Sequence, residues 1–221
     1  MKSIKGIIFD LDGTLIDSMG IWHKVDVEFL TENGIEPPAG ISDEVKKMTI
    51  DGSSQYFIDR FGLSCTKEYV IKRIEELVRI EYEQNIELKP HAKELLEFLD
   101  DRGCPYGVAT ATYKSLALAV LERCGILDRL RFLLTDIEYP LGKKYPDIFL
   151  GGAERLGISP DETLVAEDSL HCIETAVSAG FPTVGVYDAA AYADEEQIKV
   201  LSHYYVHSLD ELEELLKGKL L

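Results

Sequence analysis

The sequence contains few cysteines and no long apolar run, and both shortages narrow the classes of protein to which it can belong. Four cysteines are spread over 221 residues, and no pair has CxxC spacing. This arrangement argues against a zinc site and is typical of free thiols in a reducing compartment. No apolar stretch approaches the ~18 residues that a membrane-spanning helix needs. The N-terminal segment turns acidic too early for a secretory signal, so we expect a cytoplasmic protein.

Positive charge is also scarce. The chain has 23 lysines and arginines against 40 aspartates and glutamates, which gives a net charge of −17. A field of this sign repels nucleic acid and anionic membrane surfaces, so neither is an expected partner. It repels an anionic substrate as well. A phosphorylated substrate would therefore need local positive charge from a metal, a few lysines or helix N-termini.

The hydrophobic pattern changes along the chain. Residues 18–84 carry apolar positions at helical spacing, interrupted by glycines and prolines. Pro90 is predicted to be the first residue of a new helix. Beyond it, helical stretches alternate with the predicted strands PYGVATA, RFLLTD, TLVAED, PTVGVY and HYYVH. This alternation predicts a parallel sheet covered on both faces. The fold class is therefore α/β, with a Rossmann-like core of three layers, α/β/α.

The first predicted strand, IIFD, is separated from the others by a helical segment of roughly 70 residues. A connection of this length is not a simple crossover between parallel strands. We therefore expect a core domain formed by residues 1–16 and 86–221, and an inserted α-helical cap domain at residues 17–85. Ligands bind at the carboxyl ends of strands in open α/β sheets. An insert that leaves from this edge would cover the site as a lid.

Polar side chains follow four of the predicted strands, and a parallel sheet would bring them to one edge. They are Asp10 and Asp12, Thr110 and Thr112, Lys143 and Lys144, and Glu167 with Asp168. Asp10 and Asp12 are two residues apart, and in a strand they would point the same way. Close carboxylates are costly unless a cation neutralises them. Oxygen ligands without nearby histidine or cysteine favour Mg²⁺. Gly13 lets the backbone turn, and we expect its N–H to face an anion.

Four motifs in this order, DLDGTLIDS, VATAT, GKKYPDIFL and LVAEDS, resemble those of the haloacid dehalogenase superfamily of phosphotransferases. The likeness is greatest to members of the β-phosphoglucomutase-like and phosphoglycolate-phosphatase-like groups, which have a helical cap after the first strand. It extends over essentially the whole chain. The resemblance implies a Rossmann-like core, a helical cap and Mg²⁺-dependent phosphoryl transfer.

The resemblance also implies roles for individual residues. Asp10 would be the nucleophile that forms an aspartyl phosphate, and Asp12 the acid and base. Thr110 and Lys143 would bind the phosphoryl oxygens. The Mg²⁺ ligands would be Asp10, the backbone carbonyl of Asp12 and Asp168, with Glu167 in or near the coordination shell. Such a set suits phosphoryl transfer, which depends on positioning and charge neutralisation.

The motifs leave two residue choices open. Lys143 is followed by Lys144 where the family often has proline or a small residue, so Lys144 is a rival for the phosphate-binding lysine. Thr112 keeps a second hydroxyl in the VATAT motif, and it is also a good N-cap for the helix that follows. Cys172 occupies a position after LVAEDS where the family often has glycine.

Further candidates for substrate binding lie next to the motifs and in the cap. Gly13, Ala111, Thr112 and Lys114 flank the first two motifs, and Lys114 could meet a second anionic group. In the cap, Trp22 and His23 follow the first motif, although core packing for Trp22 and solvent exposure for His23 are equally compatible with the pattern. The stretch TIDGSS places Gly52 in a predicted turn that could reach the site.

The favoured function is a Mg²⁺-dependent phosphatase acting on a small phosphorylated metabolite, such as a sugar phosphate. The alternative within the family is a hexose-phosphate mutase of the β-phosphoglucomutase type. A phospho-receiver signalling domain also combines aspartate, Mg²⁺, threonine and lysine, but its phosphorylated aspartate ends the third strand and no insert follows the first. We expect a monomer, although no residue pattern fixes the oligomeric state.

Overall fold

The structure is a computed structural model of the chain. It describes residues 3–45, 48, 50–135 and 137–220. Thr49 of the predicted cap turn and Asp136 of the predicted strand RFLLTD therefore lie outside the described residues. No helix within these ranges is long and apolar enough to cross a membrane.

Two compact units divide the chain. The first combines Met1–Ser18 with Glu87–Leu221, and the second is Met19–Ile86. The predicted core domain ended at residue 16 and resumed at residue 86. The first unit extends to Ser18 because the Asp17 N–H donates to the Glu87 carbonyl oxygen at 3.0 Å. Ile16 also pairs with Leu88 in an antiparallel bridge. The two segments of the first unit therefore run side by side where the first one ends and the second one begins.

The first unit is built on a parallel sheet. Its described strands are β1 (Gly6–Phe9), β2 (Tyr106–Ala109), β3 (Leu133–Leu134), β4 (Thr163–Glu167), β5 (Thr183–Val186) and β6 (Tyr204–Val206). They are ordered β3-β2-β1-β4-β5-β6, and every neighbouring pair is parallel. All four residues of β1 are buried, as expected for a central strand that is covered on both faces. This confirms the predicted α/β class.

The strand order determines where on the sheet a ligand-binding crevice forms. The chain passes from β1 to β2 and β3 on one side, and then returns to β4 on the other side of β1. Such a reversal forms a crevice at the carboxyl ends of the central strands. Phe9 of β1 lies opposite Val108 of β2 and Ala166 of β4. The residues that follow these three positions are therefore brought together.

Helices connect the strands of this unit. They are α5 (Ala92–Asp101), α6 (Lys114–Arg123), α7 (Asp147–Leu156), α8 (Leu170–Ser178), α9 (Glu195–Leu201) and α10 (Leu209–Leu215). Short 3₁₀ segments lie at Leu127–Arg129, Gly142–Lys144, Pro160–Glu162 and Ala189–Asp194, and a π segment at Leu216–Leu220. Pro90 is not the first residue of α5, which contradicts the prediction. His91 follows it with a φ of 67°, and this left-handed residue precedes the helix.

The second unit is helical in its described residues. It contains α1 (Ile21–Glu32), α2 (Ile41–Val45), α3 (Ile50–Phe61) and α4 (Lys67–Ile80), followed by a π segment at Glu81–Asn85. Helix α4 packs against α1 and α3. Phe29 of α1 stacks on Phe57 of α3, with ring centroids 5.8 Å apart, and both rings are buried. These aromatic side chains give the unit its own apolar core.

Candidate active site

Three acidic side chains meet at the carboxyl ends of β1 and β4. One carboxylate oxygen from each of Asp10, Glu167 and Asp168 lies within 4.8 Å of the other two, and all three residues are buried. The neighbouring strands account for this arrangement. The Asp10 N–H donates to the Ala166 carbonyl oxygen at 2.9 Å, which fixes the end of β1 beside the end of β4. The sequence prediction placed these three residues at one edge of the sheet.

Lys143 joins this cluster. Its ammonium group contacts Asp10 Oδ1 and donates to Glu167 Oε1 at 2.6 Å, and only 5% of its side chain is exposed. Burial by itself lowers the pKa of Lys143, but the two carboxylates outweigh this effect and hold the pKa above its usual range. Lys144 is exposed. The structure therefore places Lys143, and not its neighbour, in contact with the acidic residues.

The charges of the cluster suit a divalent cation. When all three carboxyl groups are ionised, they and the one ammonium group give a net charge of −2 in a buried space. Burial raises the pKa of Asp10 and of Asp168, and the repulsion from neighbouring carboxylates raises both further, while Lys143 lowers them. Carboxylate oxygens are the ligands that Mg²⁺ prefers. A divalent cation would offset the repulsion, so the residues present fit the expected metal.

Asp12 lies outside that acidic group and is held by hydroxyl groups. Ser18 Oγ donates to Asp12 Oδ1 at 2.7 Å, and Thr112 Oγ1 donates to Asp12 Oδ2 at 2.6 Å. Thr110 Oγ1 makes a longer contact with Asp12 Oδ2, at 3.4 Å. The two aspartates of the first motif therefore occupy different surroundings. Asp10 lies among charged groups, whereas Asp12 is held by hydroxyls.

Two expectations about the first two motifs are wrong. The Gly13 N–H does not face an anion, because it donates to the Ile16 carbonyl oxygen at 3.0 Å. Gly13 instead provides a φ of 80°, which a residue with a side chain rarely adopts. Thr112 does not cap the next helix: Tyr113 is the N-cap of α6, and the Thr112 hydroxyl is directed to Asp12.

Lys114, at the start of α6, is engaged by a carboxylate. Its Nζ donates to Glu138 Oε1 at 2.7 Å. This contact, followed by hydrogen bonds from Thr135, lowers the pKa of Glu138 to about 2. The charge of Lys114 is therefore matched within the protein. Ala111 is exposed between the two threonines of the second motif. A substrate contact for either residue stays a prediction.

A family model described as haloacid dehalogenase-like hydrolase matches residues 4–180. The chain belongs to this family. The match includes the acidic cluster, Lys143 and Asp12, so the residues assembled at the sheet edge lie within the family's shared region. The family resemblance drawn from the motifs is thereby confirmed.

Curated relatives of this hydrolase are phosphatases. Hexitol phosphatase A of Escherichia coli K12 is 27% identical over 208 residues, which cover 94% of this chain and 93% of the relative. Phosphoglycolate phosphatase of the same strain is 29% identical over 211 residues, covering 84% of this chain and 82% of the relative. The prediction of a hydrolase of the phosphatase type agrees with these relatives.

A solved structure supports the fold. A Thermotoga maritima protein named as a β-phosphoglucomutase superposes with a TM-score of 0.87 at 23% identity. The match covers 98% of this hydrolase and 100% of that chain. At this level of identity the likeness shows the shared fold alone.

The three candidates from the cap lie in the helical unit. Trp22, on α1, is 43% exposed. His23, also on α1, contacts Ser42 Oγ through Nδ1 at 3.0 Å. Gly52 lies in the first turn of helix α3, so the predicted chain-reversing turn at this residue is wrong. A role for these residues in substrate binding stays a prediction.

Several side chains that contact the site of this hydrolase or its candidate residues had no role in the sequence prediction. Ser18 was quoted within the first motif, but no role was given to its hydroxyl. Cys172 was noted only as a departure from the family pattern. Its thiol is buried, and burial together with the nearby Glu167 carboxylate raises its pKa. Glu138 lies in a loop that has no hydrophobic periodicity. The one feature that could have drawn attention to it is its acidic side chain, two positions beyond a predicted strand.

Proposed function

We propose that this hydrolase is a Mg²⁺-dependent phosphatase that acts on a small phosphorylated metabolite, such as a sugar phosphate, through an aspartyl phosphate on Asp10. The contacts of Asp10 are the observation that carries the proposal. Its Oδ1 contacts Lys143, and one of its carboxylate oxygens lies within 4.8 Å of a carboxylate oxygen of Glu167 and of Asp168. The carboxylate is therefore held beside a cation and next to the groups that would bind the metal.

The proposed reaction has two steps. In the first, an Asp10 oxygen attacks phosphorus, the bond to the leaving oxygen breaks, and the Asp12 carboxyl group gives its proton to that oxygen. In the second, Asp12 takes a proton from water, the water oxygen attacks phosphorus, and the bond between Asp10 and phosphorus breaks. The products are the dephosphorylated alcohol and inorganic phosphate, and Asp10 and Asp12 return to their starting states.

Charge neutralisation in this reaction comes from two sources. Lys143 and Thr110 bind phosphoryl oxygens, because both lie beside the carboxylates at the strand ends. Asp10, Asp168 and the Asp12 backbone carbonyl would hold Mg²⁺, with Glu167 in or near the shell. The ion would balance the charge of the phosphoryl group as it transfers. With a net charge of −17, the protein would otherwise repel such a substrate.

The relatives support the substrate class. Both are named as phosphatases, and their names refer to small phosphorylated metabolites, a hexitol phosphate and phosphoglycolate. A mutase would need firm cationic contacts for a second phosphate. Lys114, the basic residue nearest the second motif, is already paired with Glu138. This pairing favours phosphate release over transfer to a second hydroxyl.

The proposal is tested by a phosphate-release screen on the purified protein. The panel holds hexose and hexitol phosphates, phosphoglycolate and nucleotides, each with Mg²⁺ and with EDTA, and Asp10→Asn serves as the control. We expect phosphate release from a subset of the small monophosphates, with Mg²⁺ only and from the wild type only. Release that continues in EDTA would contradict the metal assignment.

A second assay separates the phosphatase from the mutase. Conversion of β-glucose 1-phosphate to glucose 6-phosphate is followed with and without the activator β-glucose 1,6-bisphosphate. Free phosphate is measured in the same reactions. We expect phosphate to be released without a bisphosphate requirement. Isomerisation with little free phosphate would establish the mutase instead.

A further inference from the structure

The position of the Lys143 ammonium group depends on a loop. The Lys143 loop, described at residues 135 and 137–146, connects β3 to α7 and carries the 3₁₀ segment Gly142–Lys144. In these described residues, no strand ladder or α-helix holds the backbone. Yet Lys143 is buried and contacts carboxylates from two strands. Some other part of the loop must therefore be fixed to the core.

Glu138 provides the first attachment. Its Oε1 accepts from Lys114 Nζ at 2.7 Å, and its Oε2 accepts from the Thr135 hydroxyl at 3.0 Å and the Thr135 N–H at 3.3 Å. Lys114 begins α6, while Thr135 follows β3 and is fully buried. Both oxygens of one carboxylate thus join the loop to the start of a helix and the end of a strand.

Tyr139 provides the second attachment. Its ring packs against the buried core of the sheet, and its N–H donates to the Thr135 carbonyl oxygen at 3.0 Å. The hydroxyl end of the side chain lies over Gly151 of α7: a Cβ atom at Gly151 would be 1.8 Å from the tyrosine oxygen and 2.7 Å from Cζ. Glycine inside a helix costs about 1 kcal/mol relative to alanine. Helix α7 has glycine at position 151 in spite of this cost, because a larger residue would leave no room for Tyr139.

A backbone hydrogen bond links the Tyr139 attachment to the turn that precedes Lys143. The Tyr139 carbonyl oxygen accepts from the Gly142 N–H at 2.8 Å. Gly142 has a φ of 59° and precedes Lys143. The turn that directs Lys143 inward is therefore tied to the residue that is seated on α7. Lys144, one position later, is exposed.

We propose that Tyr139, seated on Gly151, and Glu138, held by Lys114 and Thr135, are positioning residues that fix the Lys143 ammonium group beside Asp10. The catalytic consequence rests on the function proposed above. The contribution of Lys114 is then to hold Glu138, and no second phosphate is needed to explain it. Displacement of Tyr139 moves the Lys143 loop and uncovers Lys143.

The first test measures the exposure of Lys143 without any catalytic assay. The folded protein is treated with a limiting amine acetylating reagent, and acetylation of Lys143 and Lys144 is followed by mass spectrometry. Lys144 is the internal control because it is exposed in the same segment. In Gly151→Ala and Tyr139→Ala, we expect Lys143 to react at least about tenfold faster relative to Lys144 than in the wild type, because local opening of the loop exposes it. Tyr139→Phe keeps the ring, so Lys143 should stay protected. Glu138→Gln, which lies nearer the surface, is expected to give a smaller increase.

The second test is a double-mutant cycle in the phosphatase assay. Gly151→Ala is expected to lower kcat about tenfold or more with little change in KM. In a Tyr139→Ala background the same substitution should have almost no further effect, because the clash has been removed. If the wild type shows no phosphatase activity but the labelling responds as expected, the proposed function is refuted. The proposal that Tyr139 and Glu138 position Lys143 would still hold. Wild-type labelling of Lys143 in folded Gly151→Ala and Glu138→Gln would overturn the positioning proposal.

Discussion

Replacing Lys143 by alanine removes the one cation that the structure shows within the acidic cluster. Its side chain is 5% exposed, and its ammonium group contacts both Asp10 and Glu167. Without it, the net charge of the cluster changes from −2 to −3, since three carboxylates remain. The matched control is Lys144→Ala, which removes the same charge from an exposed position next in sequence.

The magnitude of the effect follows from these contacts. Loss of one preorganised electrostatic contact to a developing charge typically lowers kcat by about 10²–10³, or about 2.7–4 kcal/mol. Breaking a buried ion pair costs about 3–5 kcal/mol of stability when the partner stays charged. In metal-free protein the carboxylates are able to take up protons, since burial already raises the pKa of Asp10 and Asp168. The measured loss of stability should therefore lie below that range.

The assay compares kcat and KM of the two variants with the wild type on the best substrate of the screen, beside thermal unfolding with and without Mg²⁺. We expect Lys143→Ala to lose about 10²–10³ in kcat and Lys144→Ala to keep wild-type turnover. Near-normal turnover by folded Lys143→Ala, or inactivity of Lys144→Ala, would refute the assignment of the phosphate-binding lysine.

Three further predictions concern the aspartates. Asp10→Asn should abolish turnover while circular dichroism stays that of the wild type, because an amide cannot attack phosphorus; measurable turnover would remove Asp10 from the nucleophile role. Ser18→Ala should lower kcat about fivefold to tenfold with KM unchanged, since Asp12 loses the 2.7 Å hydrogen bond from the Ser18 hydroxyl; Ser178→Ala, at the exposed last residue of α8, is the control. In EDTA, the raised pKa values of Asp10 and Asp168 mean that the native state binds more protons than the unfolded state. Their contribution to stability therefore falls as pH rises from about 4, and Asp168→Asn should flatten this slope in thermal unfolding; an unchanged slope would contradict it.

The sheet and its functional edge could be predicted because their signals are local. A buried parallel strand needs a run of apolar residues, and GIIF supplies one. The polar residues that follow each strand must then share an edge, whatever the details of packing. The extent of β3 was overestimated, since six residues were predicted and two form the strand. As the edge strand of the sheet, β3 has a ladder on one side only.

The contacts of the site side chains could not be predicted, because they depend on loop conformation. Lys143 and Lys144 are adjacent and have the same side chain. The backbone turn at Gly142 determines which of the two is buried. The Thr112 hydroxyl was a candidate for substrate binding and, alternatively, for capping a helix, but the helix begins at Lys114 and the hydroxyl donates to Asp12. Tyr139 gave no signal at all, since only the three-dimensional packing reveals that Gly151 makes room for its ring.

The partners of the two aspartates distinguish their roles better than their spacing does. An ammonium group only donates hydrogen bonds, so Asp10 keeps its contact with Lys143 only while that oxygen is unprotonated. Burial raises the pKa of Asp10 while Lys143 lowers it, and a bound dication would add to the effect of Lys143 and favour the carboxylate that the proposed attack needs. A hydroxyl both donates and accepts. The Ser18 and Thr112 hydroxyls can therefore stay bonded to Asp12 in either protonation state, which an acid and base requires. Under the proposed function, the surroundings of the two carboxylates suit different roles, because Asp10 faces an ammonium donor and Asp12 faces hydroxyl groups that both donate and accept.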